Sequence, residues 1–580
     1  MKEYATDKLR NVVLLGHGSA GKTLLAEAML FSSGAINRMG KIEDGTTVAD
    51  YDEEEINRKI SLSLSLIPVE WKDCKINVLD TPGYADFVGE VKSGLRAADL
   101  ALILVDAVAG VEVGTDLTWG YVDEQGLPRM VVVNKMNREN ADIGRALESL
   151  SSAFGKNFVL ITLPIGSQAD FAGVVDVIKM KAVMGSDGKV TDIPSDMADE
   201  AAEARIALIE AAAEADDELI LKYLEGEDLT AQEIERGLRA AIIAGTAVPV
   251  LVTAAATNVG VKSLLDALVA YAPSPADMGP VVAVGVSGEE ELEPSELAPL
   301  AAVVFKTTAD PFVGKLTLFR VRSGMVSANG TVYNSRAESD ERLGQLYVMR
   351  GKEQIAVDHV RAGDIGAVAK LTETVTGDTL CDRRHALSLA GPALPAPLYA
   401  VSVHATSKAD QAKLGPTLTR ICEEDPTLHW RQDGTTKETI LEGMGDAHVS
   451  IAMTRMENRF GVGVETSTPK VPYKETITRE NVDQYRHKKQ TGGAGQFAEV
   501  HMRLEPLPRD TGYEYEWDVF GGSISRSFDS SIRKGINQVM QQGVIAGYPV
   551  VDVKAAVVDG KEHPVDSKDI AFQIAGREVF

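Results

Sequence analysis

Between residues 11 and 135 short apolar runs alternate with stretches whose apolar residues recur every three or four positions: NVVLLG, TLLAEAML, KINVLD, ALILVDA and MVVVNK. This alternation predicts a parallel sheet wound with helices. Over 159–250 the pattern changes to Ala- and Glu-rich helical periodicity, as in DEAAEARIALIEAAAEADDELILKYLEG. The sheet pattern resumes at VPVLVTAAA (248–256), and the amphipathic stretch VGVKSLLDALVAYAPSP closes this region near 275. A Pro-, Gly- and Glu-rich segment follows, and 276–296 reads as a linker. Over 297–395 short strands punctuated by Gly turns predict a small β-barrel. Strand, helix, strand, helix over 396–470 (YAVSVHA, KADQAKLGPTLTRICEED, HVSIAMTRMENRF) predicts a compact α+β unit. Residues 471–580 read as a second, Gly-turn-rich α+β unit. The fold class expected is therefore multidomain α/β and α+β.

At 580 residues the chain exceeds what one core supports. The cysteines Cys74, Cys381 and Cys422 are far apart and show no metal or disulfide spacing, which points to a reducing compartment. The start, MKEYATDKLRN, has no apolar signal core, and the longest apolar run, LALILVDAVAGV, is broken by Asp106. A cytoplasmic, non-membrane, monomeric protein is expected. The net charge of −26 argues against indiscriminate nucleic-acid binding. The charge is uneven, however: 159–250 carry 7 Lys/Arg against 18 Asp/Glu, whereas 471–580 carry 14 against 16. The nearly neutral C-terminal segment leaves room for a local RNA contact.

The chemistry concentrates in three turns of the first sheet. GHGSAGKT (Gly16, His17, Gly18, Ser19, Ala20, Gly21, Lys22, Thr23) fits G-x-x-x-x-G-K-[ST] between a strand and a helix. Its backbone N–H groups would cradle phosphate, Lys22 would set a charge on the outer phosphates, and Thr23 would ligate Mg²⁺. DTPGYADF places Asp80 at the end of a strand as a carboxylate for Mg²⁺, with the Gly83 N–H and Tyr84 beside the third phosphate. Between them the polar run GTTVADYDEEEINRKISL (45–62) reads either as a solvated loop or as a segment that orders around the metal and phosphate, with Ser61 its metal-facing hydroxyl.

NKMN supplies the base site, with Asn134 tying loops together and the Lys135 stem lying along the base. GTPases commonly carry Asp at the fourth position, where this chain has Asn137. An amide opposes a donor to the guanine N–H groups, at a cost of about 1–3 kcal/mol. It suits a 2-oxo base such as xanthine better, so weakened guanine selectivity is expected.

GHGSAGKT, DTPGYADF and NKMNREN in this order make the chain resemble a translational GTPase. ICEEDPTLHW, ILEGMGDAHVSIAMTRMENRFGVGVETSTPKVPYKETI, QTGGAGQF and AGYPVVDV, which run to the C-terminal region, are similar to the elongation factor G family. The resemblance implies a P-loop GTPase domain (1–275) with an acidic helical insert (159–250), a β-barrel, a ferredoxin-like α+β domain and an elongated, RNA-facing α+β domain. It implies GTP/GDP and Mg²⁺ as cofactors and the ribosome as partner, with the insert meeting the ribosomal stalk. RNA contacts are implied near His487–Gln496 (including Lys488 and Lys489) and at His563, with Arg526, Arg533 and Lys534 supporting the same face. Four positions depart from the family pattern: Tyr84 replaces a histidine, Ser19 an aspartate, Asn137 an aspartate, and Ala254-Ala255 a Ser-Ala pair that keeps a backbone N–H for the guanine carbonyl. These departures resemble the variant elongation factor G 2 (elongation factor G-like) branch. The family continues with a fifth domain, which is expected to be absent here, through truncation or loss.

Tyr84 raises the question of hydrolysis. A phenol with an ordinary pKa of about 10 stays neutral and cannot add the positive charge that a protonated histidine would. It can still donate to phosphate or accept from water, with Lys22 and Gly83 as the other catalytic candidates. Slow intrinsic hydrolysis, stimulated by the ribosome, is the main expectation. A nucleotide-holding ribosome ligand that scarcely hydrolyses is the alternative.

Overall fold

The computed structural model describes residues 2–310, 314–490 and 495–580. They form two compact units, one of residues 1–400, 405–430 and 441–465 and one of 401–404, 431–440 and 466–580.

The first unit is built on a seven-stranded sheet. Strands β1 (Leu9–Leu15), β2 (Ser65–Trp71), β3 (Cys74–Asp80), β4 (Leu100–Asp106) and β5 (Arg129–Asn134) lie in the order β2-β3-β1-β4-β5, continued by Val248–Val252 and Phe158–Leu160. All pairings are parallel except β2 with β3, where Ser65 faces Asp80 and Trp71 faces Cys74. Every residue of β1, β3 and β4 is buried, which explains their continuous apolar character: helices cover both faces of the sheet. One face packs α1 (Lys22–Ser33) through Leu25, Met29 and Leu30. The other packs α3 (Val88–Ala97) and α4 (Val113–Gln125) through Val91, Leu95, Trp119 and Val122. The switch candidate 45–62 contains one short helix, α2 (Glu53–Arg58), closed at its start by a capping box between Asp52 and Glu55.

Two segments differ from the sequence expectation. The first part of 159–250, read as helical, is an antiparallel sheet of Thr162–Ile165, Gly173–Asp176, Lys181–Met184 and Lys189–Thr191. Its strands are three or four residues long, too short for periodicity to reveal. The helices expected there follow as Ala198–Ala213, Asp217–Leu224 and Ala231–Ala244. The expected linker 276–296 is not an open loop: Val281–Gly285 pairs antiparallel with Gly288–Leu292 and also with Leu387–Ser388. There VVAVG alternates, turning Val281 and Ala283 toward the core while Val282 and Val284 face outward, and the Glu-rich composition concealed the hairpin.

Ala301–Cys381 forms an eight-stranded antiparallel sheet around Val304, Phe319, Val321 and Val368. A fully buried ion pair joins it to the first sheet. Arg320 donates to both oxygens of Asp99 at 2.6 and 2.8 Å and to the Ala97 carbonyl at 3.0 Å. The first unit also contains helices Lys408–Glu424 and Asp446–Phe460.

The second unit carries a four-stranded sheet, in the order Asn481–Lys489, Gln496–Pro506, Val553–Lys561, Tyr513–Trp517, covered by helices Asp529–Gln542 and Asp569–Val579. Its core is Val500, Met502, Ile532, Ile536, Val557 and Phe572. Among the described residues no helix is long and apolar enough to cross a membrane.

Candidate functional site

The phosphate-loop sequence leaves β1 and enters α1, and its geometry is fixed by what surrounds it. Gly16 has φ +130°, and a side chain there would strike the Leu104 carbonyl of β4. Ser19 holds φ +67°, a left-handed conformation in a non-glycine residue, in the middle of the loop. Lys22 is buried and donates to the Gly16 and His17 carbonyls at 2.9 and 3.0 Å. Burial pushes its ammonium down to about 8 although Asp80 and Asp50 oppose this.

Thr23, Ser61 and Asp80 converge beside Lys22. The Thr23 hydroxyl donates to Asp80 Oδ2 at 2.7 Å and lies 3.0 Å from Ser61 Oγ. Asp80 Oδ1 is buried and has no hydrogen-bond partner. Burial pushes the Asp80 carboxyl up to about 6, against the pull of Thr23 and Lys22. An orphaned carboxylate oxygen beside two hydroxyls is a donor set of the oxygen type that Mg²⁺ takes. The polar run 45–62 is thus folded onto the site rather than lying as a solvated loop.

Gly83 presses against the loop: a Cβ there would come within 2.6 Å of Lys22 Nζ and 2.7 Å of the Gly18 N. Tyr84 is 48% exposed, and its ring edge flanks Gly18. With His17, Val88, Val91, Val113, Leu117 and Tyr121 it lines a cavity of about 120 Å³. His17 Nδ1 accepts from the Gly114 N–H at 3.1 Å, which fixes the ring beside α4.

At the base-site turns, buried Asn134 donates to the Ala20 carbonyl at 3.0 Å and accepts from Thr253 Oγ1 and the Ala255 N–H at 3.1 Å each. It therefore joins the phosphate loop to the Ala254-Ala255 turn. Of the two backbone N–H groups in the Ala254-Ala255 pair, that of Ala255 is donated to this amide, and a 3₁₀ turn begins at the same residue. Lys135 sits at φ +65° and donates to Asp106 at 2.8 Å. Burial opposes ionisation of Asp106, but Lys135 and the Val108 N–H hold its carboxyl below the ordinary range. Asn137 is half-buried in the turn after β5.

Sequence reasoning missed three carboxylates behind this cluster. Asp50 is buried, hydrogen-bonds Ser61, and is pushed up to about 7 by burial and by Asp80. Glu55 accepts from the Leu62, Ser63 and Asp52 N–H groups at 2.9, 3.0 and 3.2 Å, and burial raises it to about 7. Glu27 accepts from the Gly40 and Val48 N–H groups at 2.8 and 2.9 Å. Glu27 carried a signal, an acid inside the otherwise apolar TLLAEAML. Asp50 and Glu55 were hidden among solvent-like charges.

The RNA-facing candidates lie in the second unit. Lys488 and Lys489 are exposed, and His487 Nε2 lies 3.0 Å from Gln496 Oε1. Thr491–Ala494 lie outside the described residues. His563 Nδ1 accepts from the Val565 and Asp566 N–H groups at 3.3 and 3.1 Å, leaving Nε2 to carry the proton. Arg526 lies in a short 3₁₀ turn and Lys534 is exposed on the helix that follows. Arg533 instead lies over the Tyr515 ring at 4.2 Å, an alternative that spacing alone does not reveal.

Comparison with known proteins places the chain. Residues 7–274 match the elongation factor Tu GTP binding domain, 299–383 elongation factor G domain 2, 394–468 its domain III and 469–580 its domain IV. The elongation factors G of a Thermotoga species and of Thermotoga maritima are each 41% identical to it, over 99% of this chain and 84% of theirs. A crystal structure of a Thermus thermophilus protein matches with a TM-score of 0.87 at 35% identity, over 99% of this chain and 84% of that one. With four domain profiles in order and this identity along nearly its whole length, the chain belongs to the elongation factor G family.

Proposed function

We propose that the protein is a GTP-binding translation factor that hydrolyses GTP on the ribosome and converts loss of the third phosphate into domain movement. The observation that carries this reading is the convergence of Lys22, Thr23, Ser61 and Asp80, with one buried Asp80 oxygen left unsatisfied. Thr23, Ser61 and Asp80 would hold Mg²⁺, which neutralises triphosphate charge. The loop N–H groups and Lys22 bind the phosphates, and Gly83 must yield to admit the third. Asn134 keeps the base-binding turns in register, and Asn137 relaxes the choice of base. The Tyr84 hydroxyl orients the attacking water or donates to phosphate without adding charge. Tyr84, Ser19, Asn137 and Ala254 together favour the elongation factor G 2 branch. The tip containing His563 and Lys488–Lys489 meets ribosomal RNA, and the acidic helices over 198–244 steer the ribosomal stalk.

Phosphate release in multiple turnover, with and without ribosomes, tests the enzyme and the role of Tyr84 together. The parent is expected to turn over slowly alone and to be strongly stimulated by ribosomes. Tyr84→Phe should lower the stimulated rate at least tenfold, while Tyr84→His should keep or raise it. An unchanged rate in Tyr84→Phe would remove the hydroxyl from the mechanism. Absence of turnover with ribosomes would leave a nucleotide-holding ligand instead. For base choice, XTP is expected to compete within about tenfold of GTP, since one mismatched amide contact is worth about 1–3 kcal/mol. Rejection of XTP by a thousandfold would refute the role given to Asn137.

A further inference from the structure

After α5 (Ile143–Phe154), α6 (Ala198–Ala213), α7 (Asp217–Leu224), α8 (Ala231–Ala244), α9 (Val261–Tyr271) and α10 (Lys408–Glu424) comes α11 (Asp446–Phe460), which touches both segments that border the phosphate site. At its N-terminal end the Asp86 carboxylate lies against Gly445, and the Phe87 ring meets His448 edge-on at 5.9 Å. Asp86 and Phe87 stand two and three positions after Tyr84. His448 is held in turn by Asp425 at 2.8 Å. At its C-terminal end Arg459 donates to Asp52 Oδ2 at 2.6 Å and to Glu424 at 3.3 Å. Arg455 lies 3.7 Å from Asp52 and donates to Ser63 Oγ at 3.4 Å.

Asp52 is more than a surface partner. Its other oxygen accepts the Glu54 N–H at 3.0 Å as the cap of α2, and its own N–H is held by Glu55. Glu55 also accepts from the Leu62 and Ser63 N–H groups, which directly follow Ser61. On the opposite side the same segment rests on Gly351, where any side chain would displace the Val48 carbonyl. Polar contacts therefore run from Arg459 through Asp52 and Glu55 to the Leu62 N–H, and the residue before it in the chain, Ser61, lies 3.0 Å from the Thr23 hydroxyl.

We propose that Asp52 and Arg459 form a charge latch that holds residues 45–62 closed over the phosphate site, so that docking of α11 and binding of the triphosphate stabilise each other. Arg459 acts as a positioning residue through Asp52 and touches no substrate. The coupling to nucleotide rests on the function proposed above, whereas the latch itself is a property of the protein alone. By linkage, whatever withdraws α11 loosens the triphosphate by the same factor. Because both side chains are partly exposed, the latch weakens with salt.

A double-mutant cycle tests it with Asp52→Asn, Arg459→Gln and both together. Asparagine caps a helix as well as aspartate does, so α2 is preserved. The first readout is amide hydrogen exchange over 45–62 in the full chain without nucleotide. Each single variant should speed exchange there about fivefold, and the double variant no further. The second is the ratio of GTP to GDP affinity, which should fall about fivefold in each single variant and no further in the double. Unchanged exchange in the single variants, or additive effects in the double, would overturn the latch. Faster exchange with an unchanged GTP-to-GDP ratio would overturn its coupling to the triphosphate. A parent that binds neither nucleotide would defeat the functional reading, and the exchange measurement would still decide the latch.

Discussion

Replacing Lys22 by alanine should weaken GTP binding about a hundredfold and leave little hydrolysis. The ammonium is buried, so its contact with phosphate would be a charge-assisted one made away from water, worth about 1.5–3 kcal/mol. Loss of a preorganised donor aimed at developing charge costs a further 10²–10³ in rate, to order of magnitude. The substitution also removes the two hydrogen bonds that draw the Gly16 and His17 carbonyls inward, so the loop itself loosens. Lys22→Arg should not rescue it. A side chain at Gly83 would already come within 2.6 Å of the ammonium, and a planar guanidinium has no room there. Isothermal titration with GTP and single-turnover phosphate release measure both losses. Near-parental affinity in Lys22→Ala would place the phosphates elsewhere.

The largest loss of stability is expected from Arg320→Ala. Arg320 and Asp99 are each 2% exposed at their side chains, and their pair joins the barrel strand Gly314–Ser323 to the start of β4. Asn11 Nδ2 donates to the same Asp99 carboxylate at 2.8 Å and to the Gly363 carbonyl at 2.8 Å. Removing the guanidinium leaves a buried carboxylate with one neutral donor, and with Arg322 3.8 Å away. Breaking a buried pair in this way costs about 3–5 kcal/mol. Replacing both partners, as Arg320→Met with Asp99→Leu, should recover much of that loss, since the penalty belongs to the unpaired charge and not to absence of the bridge. Urea unfolding should show the first transition moved to lower denaturant in Arg320→Ala and moved back in the double variant. Because the chain has two compact units, the transition position is the quantity to compare, not a single extrapolated free energy.

The parts of the fold written as long runs were legible in the chain. The buried strands β1, β3, β4 and β5 announce themselves because parallel strands covered on both faces need continuous apolar sequence. The three turns at Gly16, Asp80 and Asn134 were legible because each ends such a strand with residues of special chemistry. The sheet over Thr162–Thr191 and the hairpin at Val281–Leu292 were not, since strands of three to five residues give no period to count. The carboxylates Asp50 and Glu55 were hidden for a different reason. In sequence they stand in a charged run indistinguishable from a solvated loop, and only the folding of 45–62 back onto Lys22 takes them out of water. The pairs Arg459–Asp52 and Arg320–Asp99 join residues hundreds of positions apart, which no local pattern encodes.

In the function proposed above, the Lys22 and Asp80 turns close on one magnesium-bound guanine triphosphate. GTP titrated into the parent and into Asp80→Asn, each with Mg²⁺ and with chelator, tests it most directly. Chelation should weaken GTP binding at least tenfold in the parent and hardly at all in Asp80→Asn, whose affinity should already be low. GTP affinity indifferent to Mg²⁺ in the parent, or the same magnesium dependence in both proteins, would contradict the account.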